Sequence, residues 1–255
     1  MEHNLRTYKL SNLYSAIPRF SEFVEKAFGK KLISKDWLAE VKKIRPGNSV
    51  LEIGAGHGRF TEILIKTKAS ITAIEPDPYF NFAFRRNPRL KKASNVRLLK
   101  AFFPFPSKEK YDYILLHQNV FLELINEMPL HRTIQSLKKF LKPKGMVILD
   151  YVWPFTPDTK REKVIYRHNA KNFGQVKYSY RYILPKLQFY HRVELYFSIS
   201  KKGGAKTSKF QLRFWLPPWS RIASEVVQSG GKVSKKTMKD YSFFPGTLIL
   251  GKFRF

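Results

Sequence analysis

A short segment with glycine at every second position most constrains how this chain can fold. An apolar run containing Glu52 leads into Gly54, Gly56 and Gly58, and a helix-like segment follows the last glycine. This pattern predicts a buried strand, a tight turn and a helix N-terminus. Glycines permit the unusual dihedral angles of such a turn and let a ligand approach the bare backbone, while the helix start offers unpaired N–H groups. The segment therefore predicts a nucleotide-binding loop.

An acidic residue at the end of the next predicted strand supports such a site. Glu75 lies 21 residues after Gly54, and at this spacing a carboxylate can accept hydrogen bonds from both ribose hydroxyls of a nucleoside. The alternative role for Glu75 is helix capping. We expect Asp77 to be the capping residue, because Asp77 directly precedes Pro78. A dinucleotide site is the weaker interpretation, since Arg59 stands where its third small residue belongs.

The order of predicted elements favours an α/β fold. Strands are predicted at residues 49–53, 70–74, 95–99, 111–116 and 146–151, helices at residues 59–67 and 130–141, and a short helical or irregular segment at residues 78–86. Strands that alternate with helices indicate βαβ units. The sequence therefore predicts a Rossmann-like central sheet, mostly parallel, with helices on both faces.

The chain changes character after residue 151, where alternating aromatic and β-branched residues indicate antiparallel strands. We predict an antiparallel β insertion at about residues 160–216 and a closing C-terminal β-hairpin. These elements are strands at residues 176–183, 187–198 and 210–216, a helix at 219–229, and hairpin strands at 232–238 and 247–253. Apolar residues at helical spacing predict an N-terminal helical cap over residues 1–45. The remaining residues, 46–255, are predicted to form one ligand-binding domain that contains the insertion.

The composition shows a strong excess of positive charge. The chain has 48 Lys/Arg and 19 Asp/Glu, a net charge of +29, and residues 151–255 hold 21 of the basic and 5 of the acidic residues. Such a field attracts polyanions, which makes RNA a candidate partner. The alternative is a lysine-rich composition whose solvated faces bind nothing specific.

Composition and hydropathy also exclude several classes of protein. The chain has no cysteine, which excludes a disulfide framework, a thiolate metal site and a cysteine nucleophile. No segment resembles a signal peptide, a membrane span or a metal-binding motif. We therefore expect a cytoplasmic protein without a membrane span and without a metal.

The glycine segment and its neighbours resemble a known enzyme family. The pattern Glu52-x-Gly54-x-Gly56-x-Gly58 resembles motif I of class I S-adenosylmethionine (SAM) dependent methyltransferases, and residues 111–116 and 141–146 resemble their fourth strand and the turn before the fifth. The β-rich insertion resembles the lid of the small-molecule methyltransferases. The resemblance implies SAM as cofactor, bound by Glu52, Gly54, Ala55, Gly56, Gly58, Glu75, Pro76, Phe102 and His117.

Two of these residues have particular roles implied by the resemblance. The family usually places an acidic residue for the adenine amino group after the third strand, but residues 100–102 offer none, so Phe102 is expected to cover adenine by stacking. Glu52 is either a structural acceptor for N–H groups of the loop or a favourable charge near the cationic methionine part of SAM.

Catalytic and acceptor-binding candidates follow from the same resemblance. The catalytic candidates are His117, Asn119 and His191, and the acceptor is expected to contact Tyr14, Tyr182 and Arg213. His117 and Asn119 either orient the reacting groups or satisfy buried backbone at the strand end. Tyr180, Tyr182, Tyr190 and His191 are candidates for a lid, and their alternative role is sheet packing. A catalytic base is needed only if the attacking atom is protonated.

Three functions are compatible with this sequence. The first is methyl transfer from SAM to an O or N atom of a small-molecule acceptor covered by the insertion. The second is methylation of RNA held by the basic C-terminal surface, although residues 118–121 lack the Asn/Asp-Pro-Pro-aromatic tetrad of enzymes that methylate base amines. The third is a non-catalytic module that binds nucleic acid or protein on the same fold.

Overall fold

The computed structural model describes the backbone of residues 6–7, 33–153, 163–170, 174–183, 191–200, 207–238 and 247–255, and the side chains of residues 33–151, 216–238 and 248–255. The strands in these ranges are β1 Arg6–Thr7, β2 Ser49–Ile53, β3 Ser70–Ile74, β4 Val96–Leu99, β5 Tyr111–Leu116, β6 Leu141–Trp153, β7 Lys163–Ala170, β8 Gly174–Ile183, β9 His191–Ser200, β10 Thr207–Leu216, β11 Lys232–Met238 and β12 Thr247–Arg254. The helices are α1 Lys35–Val41, α2 Thr61–Leu64, α3 Pro78–Arg86, α4 Pro88–Lys91, α5 Val120–Glu127, α6 Leu130–Phe140 and α7 Trp219–Gln228, with a 3₁₀ helix at Ile65–Thr67.

A mixed sheet of seven described strands forms the centre of the fold, in the order β11-β12-β6-β5-β2-β3-β4. The five strands from β4 to β6 are parallel, while β12 is antiparallel to β6 and β11 to β12. The predicted Rossmann-like fold with a C-terminal antiparallel hairpin is confirmed. Parallel strands are buried on both faces, and the apolar runs of β2, β3 and β5 meet that requirement.

Alternate residues of β2 enter two different cores. Val50 lies in a cluster with Trp37 of α1, whereas Leu51 lies in a cluster with Phe121 of α5 and Ile222 of α7. Successive side chains of a strand point to opposite faces of the sheet. Helices therefore cover both faces, as predicted.

The register of the central strands brings their carboxyl ends together. Ile53 at the end of β2 lies between Ile74 at the end of β3 and Leu116 at the end of β5. The chain continues from β2 to the neighbouring β3 on one side, while β5 joins β2 on the other side. A crevice outside the strand ends is expected where the connections diverge in this way, and it places the candidate site.

A second sheet of five described strands runs in the order β1-β10-β9-β8-β7. The strands β7 to β10 are antiparallel to their neighbours, and β1 is parallel to β10. The predicted antiparallel insertion is present, and β7 adds a strand that the prediction lacks. The proposed division into domains stays a prediction, and the two-residue strand β1 falls inside the segment expected to be a helical cap.

Three helical segments also differ from the prediction. The expected helix at residues 59–67 is divided into α2 and the 3₁₀ helix, and the four-residue α4 was unexpected. Helix α5 was not predicted, although Asn119, a residue type preferred at helix N-caps, directly precedes it in the sequence. In the structure Asn119 has a left-handed conformation (φ 63°) and makes no side-chain cap hydrogen bond.

The sequence predicts no membrane span, and such a span would be a long apolar helix. Among the described residues, the structure contains no helix with the length and apolarity needed to cross a membrane.

Candidate active site

A cavity of about 510 Å³ lies at the carboxyl ends of β2, β3 and β5. Residues that follow each of these strands line it, together with the loop after β4 and helix α5. The lining includes Glu52, Gly54, Ala55, Gly56, Glu75, Pro76, Phe102, His117, Gln118 and Glu123. Its volume falls in the range of about 300–1,000 Å³ that is typical of small-molecule sites.

The three glycines of the loop differ in what requires them. All three have positive φ angles, of 72° at Gly54, 56° at Gly56 and 84° at Gly58. A Cβ atom at Gly54 would lie 2.6 Å from Val120 Cγ2, and one at Gly58 would lie 2.1 Å from Leu90 Cδ1, whereas one at Gly56 would meet no atom within 4 Å. Gly54 and Gly58 therefore permit helix packing, and Gly56 leaves open space on the cavity side.

Glu75 joins the glycine loop to the end of β3. Its Oε2 accepts a hydrogen bond from the Gly56 N–H at 2.8 Å, and its Oε1 accepts one from the Asp77 N–H at 2.8 Å. The side chain is almost fully buried. Burial raises the pKa of Glu75 to about 7, against the lowering effect of these two hydrogen bonds.

The residue after Pro76 caps the next helix, as predicted. Asp77 Oδ1 accepts hydrogen bonds from the Tyr79 and Phe80 N–H groups at 2.8 and 3.3 Å, and Pro78 occupies the first turn of α3. This cap satisfies two backbone donors that the helix start leaves unpaired. The cap and Glu75 together fix the wall of the cavity at the end of β3.

Glu52 lies beneath the loop and is only 2% exposed. Its Oε2 accepts a hydrogen bond from the Thr61 hydroxyl at 2.6 Å, so its described partner is a side chain at the start of α2. Burial raises the pKa of Glu52 to about 8, and the nearby charge of Glu75 adds to the increase.

His117 is held at the end of β5 by aromatic neighbours. Its ring stacks on Phe60 with centroids 4.5 Å apart and meets Trp37 edge-on at 5.1 Å. The residue is buried and lines the cavity. The structure thus brings His117 together with the predicted cofactor-binding residues.

Asp150 of β6 holds the loop after β5, and sequence reasoning missed it. Its Oδ2 accepts hydrogen bonds from the Gln118 N–H at 2.8 Å and Trp37 Nε1 at 3.0 Å, and its Oδ1 accepts one from the Asn119 N–H at 2.5 Å. Burial raises the pKa of Asp150 to about 6, against these three donors. A single acid in the apolar run Met146–Tyr151 was the signal available in the sequence.

Glu123 of α5 is a second cavity residue that sequence reasoning missed. It is partly buried and lines the cavity. Burial raises its pKa to about 8, and the charges of Glu75 and Glu127 add to the increase. The signal in the sequence was weak, because the helix that carries Glu123 was itself not predicted.

The remaining candidates are less closely tied to the cavity. Phe102 lines it and is 61% exposed, so one ring face is open to a ligand. Among the described residues, the cavity lining includes neither Gly58 nor Asn119, which is the N-cap of α5. Tyr14 and Tyr190, and the side chains of Tyr180, Tyr182, His191 and Arg213, lie outside the described parts of the structure, and their roles stay predictions. Within those parts, no three His, Asp or Glu side chains form a group suited to a metal ion.

Comparison with known proteins identifies the family. A sequence-family model described as a methyltransferase domain matches residues 23–196. The chain belongs to the methyltransferase family. It is 30% identical to a demethylmenaquinone methyltransferase from Tropheryma whipplei over 179 residues, which cover 67% of this chain and 72% of that protein. It is 31% identical to ribosomal RNA small subunit methyltransferase A from Dehalococcoides mccartyi over 110 residues, 42% of this chain, and spans only 36% of that relative's length.

Solved structures show the same fold at low sequence identity. A SAM-dependent methyltransferase from Clostridium acetobutylicum superposes with a TM-score of 0.68 at 14% identity, over 92% of this chain and 97% of that one. CalS10, an amino pentose methyltransferase from Micromonospora echinaspora with SAM bound, superposes with a TM-score of 0.64 at 16% identity, over 91% and 97% of the two chains. The fold is that of class I SAM-dependent methyltransferases.

The protein is an enzyme of this family, and CalS10 is described with SAM bound. The cavity suits such a group, because the space beside Gly56 is open and a buried carboxylate, Glu75, stands at the neighbouring strand end. SAM supplies a methyl group on a positively charged sulfur, and an acidic lining is compatible with that charge. The non-catalytic alternative is therefore not retained.

Proposed function

We propose that this methyltransferase transfers the methyl group of SAM to an O or N atom of a small-molecule acceptor that enters the same cavity. The observation that carries the proposal is the shape and lining of the cavity, which runs from the glycine loop to α5 between apolar walls. The walls include Phe60, Phe80, Phe103, Val120, Leu124 and Met128. Apolar walls with a few placed polar groups are typical of sites for small organic ligands.

Several similar proteins support a small acceptor. The relative from Tropheryma whipplei is named for demethylmenaquinone, and CalS10 is described as acting on an amino pentose. A third structure, the sugar N-methyltransferase KedS8 from Streptoalloteichus, has a TM-score of 0.62 at 16% identity and covers 91% of each chain. The cytoplasmic location and the lack of a metal requirement stay predictions.

In the proposed complex, the residues at the ends of β2 and β3 hold the cofactor. The Gly56 backbone lies against the methionine part, the Glu75 carboxylate accepts hydrogen bonds from the ribose hydroxyls, and the open face of Phe102 covers the adenine. His117, fixed between two rings, orients the methionine part or the acceptor. These residues act by holding the two reactants in line, which is a proximity effect.

A pair of glycine substitutions tests the cofactor site. Gly56→Arg places a long side chain in the open space of the cavity, so SAM affinity should fall roughly 100-fold or more. Gly47→Arg is the matched control, because Gly47 also has a positive φ (87°) and an unobstructed Cβ position but lies in the turn before β2. Calorimetric titration with SAM measures both, and equal affinities in the two variants would contradict the proposed site.

The acceptor class is tested by methyl transfer in a cell extract. Purified enzyme and radiolabelled SAM are added to an extract, and the labelled products are separated by size and by sensitivity to ribonuclease. Label in the low-molecular-weight fraction supports the proposal, provided that Gly56→Arg removes it. Label only in large material would contradict a small-molecule acceptor.

A second candidate function is methylation of RNA, and a described surface favours it. Residues 78–108 contain eight Lys/Arg and no Asp/Glu. Phe82 is 59% exposed, and the Arg86 guanidinium lies 5.2 Å from the centre of its ring. Exposed aromatic rings beside arginines can stack on unpaired bases. His57 lines both this surface depression and the main cavity, so the two adjoin.

The surface formed by residues 78–108 differs from the basic C-terminal surface, residues 151–255, for which the charge count predicts RNA binding. The side chains of residues 152–215 lie outside the described parts, so that prediction stays open. Affinity for single-stranded RNA should fall steeply with salt concentration if the surface binds phosphates. The double variant Phe82→Ala with Arg86→Ala should then weaken binding, whereas unchanged affinity would remove this surface as the platform.

A further inference from the structure

The cavity has a charge opposite to that of the protein as a whole. The chain carries 48 basic and 19 acidic residues. Among the described residues, the cavity lining instead contains one arginine, Arg59, no lysine, and five carboxylate residues, which are Glu52, Glu75, Asp77, Glu123 and Glu127. Negative groups concentrated in a cavity draw a cationic ligand into it.

Three of these carboxylates already have partners in the fold. Glu52 accepts a hydrogen bond from Thr61, and Glu75 accepts two from backbone N–H groups of the loop and the strand end. Asp77 caps α3. They are therefore explained by structure and by the cofactor site.

Glu123 is not explained in that way. It lies one turn into α5 and lines the cavity. Among the described residues, none donates a hydrogen bond to this carboxylate or forms an ion pair with it. Burial is the main cause of the raised pKa of Glu123. Its charged neighbours, Glu75 and Glu127, are both acidic and raise that pKa further. A partly buried carboxylate without a cationic partner gains most from a ligand that brings one.

We propose that the acceptor is a primary or secondary amine on an apolar body, that it binds as its ammonium ion against Glu123, and that Glu123 takes the proton that must leave before methyl transfer. This inference rests on the proposed function and specifies its acceptor. The apolar body packs against Phe103, Val120, Leu124 and Met128, which also line the cavity.

The proposed step is balanced in atoms and charge. An ammonium N–H proton moves to the Glu123 carboxylate, which leaves a neutral amine with a free electron pair. The nitrogen then forms a bond to the methyl carbon while the carbon–sulfur bond breaks, and the electrons of that bond stay on sulfur as a neutral thioether. The methylated product leaves as an ammonium ion, and the neutral Glu123 returns its proton to solvent.

The electrostatic setting of Glu123 suits this role. A base works best when its pKa lies near the working pH, and the pKa of Glu123 is raised to about 8 by burial and by its acidic neighbours. An arriving ammonium ion would lower that pKa again, so the carboxylate is charged when the amine binds and accepts a proton as the amine is positioned.

Chemical blocking of amines tests the acceptor class directly. The low-molecular-weight fraction of a cell extract is divided, and one half is treated with acetic anhydride so that primary and secondary amines become amides. The enzyme and radiolabelled SAM are then added to both halves. Label that appears in the untreated half and is lost in the acetylated half supports the inference, whereas equal label in both halves overturns it. An absence of label in both halves, with SAM binding intact, would overturn the small-molecule function itself.

A variant tests the role of Glu123. Glu123→Gln should leave SAM affinity unchanged and reduce the methyl-transfer rate at pH 7 by roughly 100-fold, the usual scale of a lost general base. Glu109→Gln is the control, because Glu109 is an exposed residue paired with Arg97 on the surface. Loss of SAM binding in Glu123→Gln would mean that Glu123 serves the cofactor, which would overturn the inference. Thermal unfolding of each variant verifies that it is folded.

The dependence of rate on pH separates a base from a merely structural residue. In the part of the chain that the structure describes, the other titratable groups that line the cavity are Glu52, Glu75, Asp77, Glu127, His57, His117 and Arg59, and all are retained in the variant. In Glu123→Gln the amine must lose its proton unaided, so the rate should keep rising at pH values where that of the natural enzyme has levelled. A profile that only scales down, with unchanged shape, would contradict proton transfer to Glu123.

Discussion

The proposed cofactor end and the proposed acceptor end of the cavity hold their residues in different ways. At the cofactor end, residues 52–60 and 74–77 hold one another through backbone hydrogen bonds, such as those from the Gly54 and Ala55 N–H groups to the Ile74 carbonyl. At the acceptor end, residues 117–128 depend on side chains from distant parts of the chain, above all on Asp150 and Trp37. The cofactor end is thus made from local motifs, and the acceptor end from long-range contacts.

This difference has a consequence for specificity. Backbone groups and glycines offer a ligand the same chemistry whatever the neighbouring side chains are, which suits a shared cofactor. Side chains on α5, including Glu123, can change without disturbing the sheet, because the helix is anchored by its apolar face through Val120, Phe121 and Leu122. The acceptor end can therefore vary while the cofactor end is kept.

The largest expected effect on stability comes from a substitution that disrupts the packing beneath the cofactor end. Gly58→Ala places a Cβ atom 2.1 Å from Leu90 Cδ1 and 2.8 Å from Phe84 in a left-handed backbone conformation. We expect a loss of about 3 kcal/mol in the free energy of unfolding, from overpacking and from backbone strain together. Gly47→Ala shares the positive φ but has open space, so it should lose only the strain, about 1 kcal/mol. Urea unfolding measures both, and equal losses would contradict a packing role for Gly58.

A smaller effect is expected when the acceptor end loses its long-range support. Asp150→Asn replaces one of the two acceptor oxygens by an NH₂ group that faces a backbone donor, so stability should fall by about 2 kcal/mol. Asp112→Asn is the control, because Asp112 accepts hydrogen bonds from Ser49 and Lys142 away from the cavity. Methyl transfer should fall in Asp150→Asn beyond any change in Asp112→Asn. If both variants retained full activity, the loop after β5 would not depend on Asp150.

The smallest effect concerns one charge at the cofactor end. The ionised carboxylate of Glu75 accepts hydrogen bonds, and its pKa is raised to about 7. Protonation below that pH removes acceptor capacity, so SAM should bind more weakly at pH 6 than at pH 8. Glu75→Gln should weaken SAM binding by about tenfold at pH 8 and flatten its pH dependence. Calorimetric titrations at several pH values provide the test, and an unaltered slope in the variant would assign the dependence to another group.

Much of the cofactor end could be predicted from the sequence. The loop glycines, Glu75 and the cap at Asp77 are recognisable because each depends on residues within a few positions, or within one βαβ unit, of its own. The strands β2, β3 and β5 were predicted because a parallel strand buried on both faces needs a continuous apolar run. The loop glycines were not equivalent in the structure, however, since packing requires Gly54 and Gly58 while Gly56 opens to the cavity.

The acceptor end was predicted less well for physical reasons. The N-cap of helix α5 is Asn119, whose left-handed conformation without a capping hydrogen bond is visible only in the structure, and Glu123 was missed together with this helix. Asp150 looked like one acid in an apolar strand, and its three donors come from residues 31, 32 and 113 positions away. Glu52 was expected to accept from loop N–H groups or to supply charge, but the structure pairs it with the Thr61 hydroxyl.

The sequence by itself determined the parallel sheet, the glycine loop and the acidic residue at the next strand end, because backbone dihedral preferences and apolar periodicity are properties of short segments. Only the tertiary structure decided which carboxylates share the cavity and which of them lack a partner. Strand order and helix packing bring Glu75 and Glu123, 48 positions apart, into the lining of one cavity. The environment of each acid, and hence its pKa, arises only when those elements pack together.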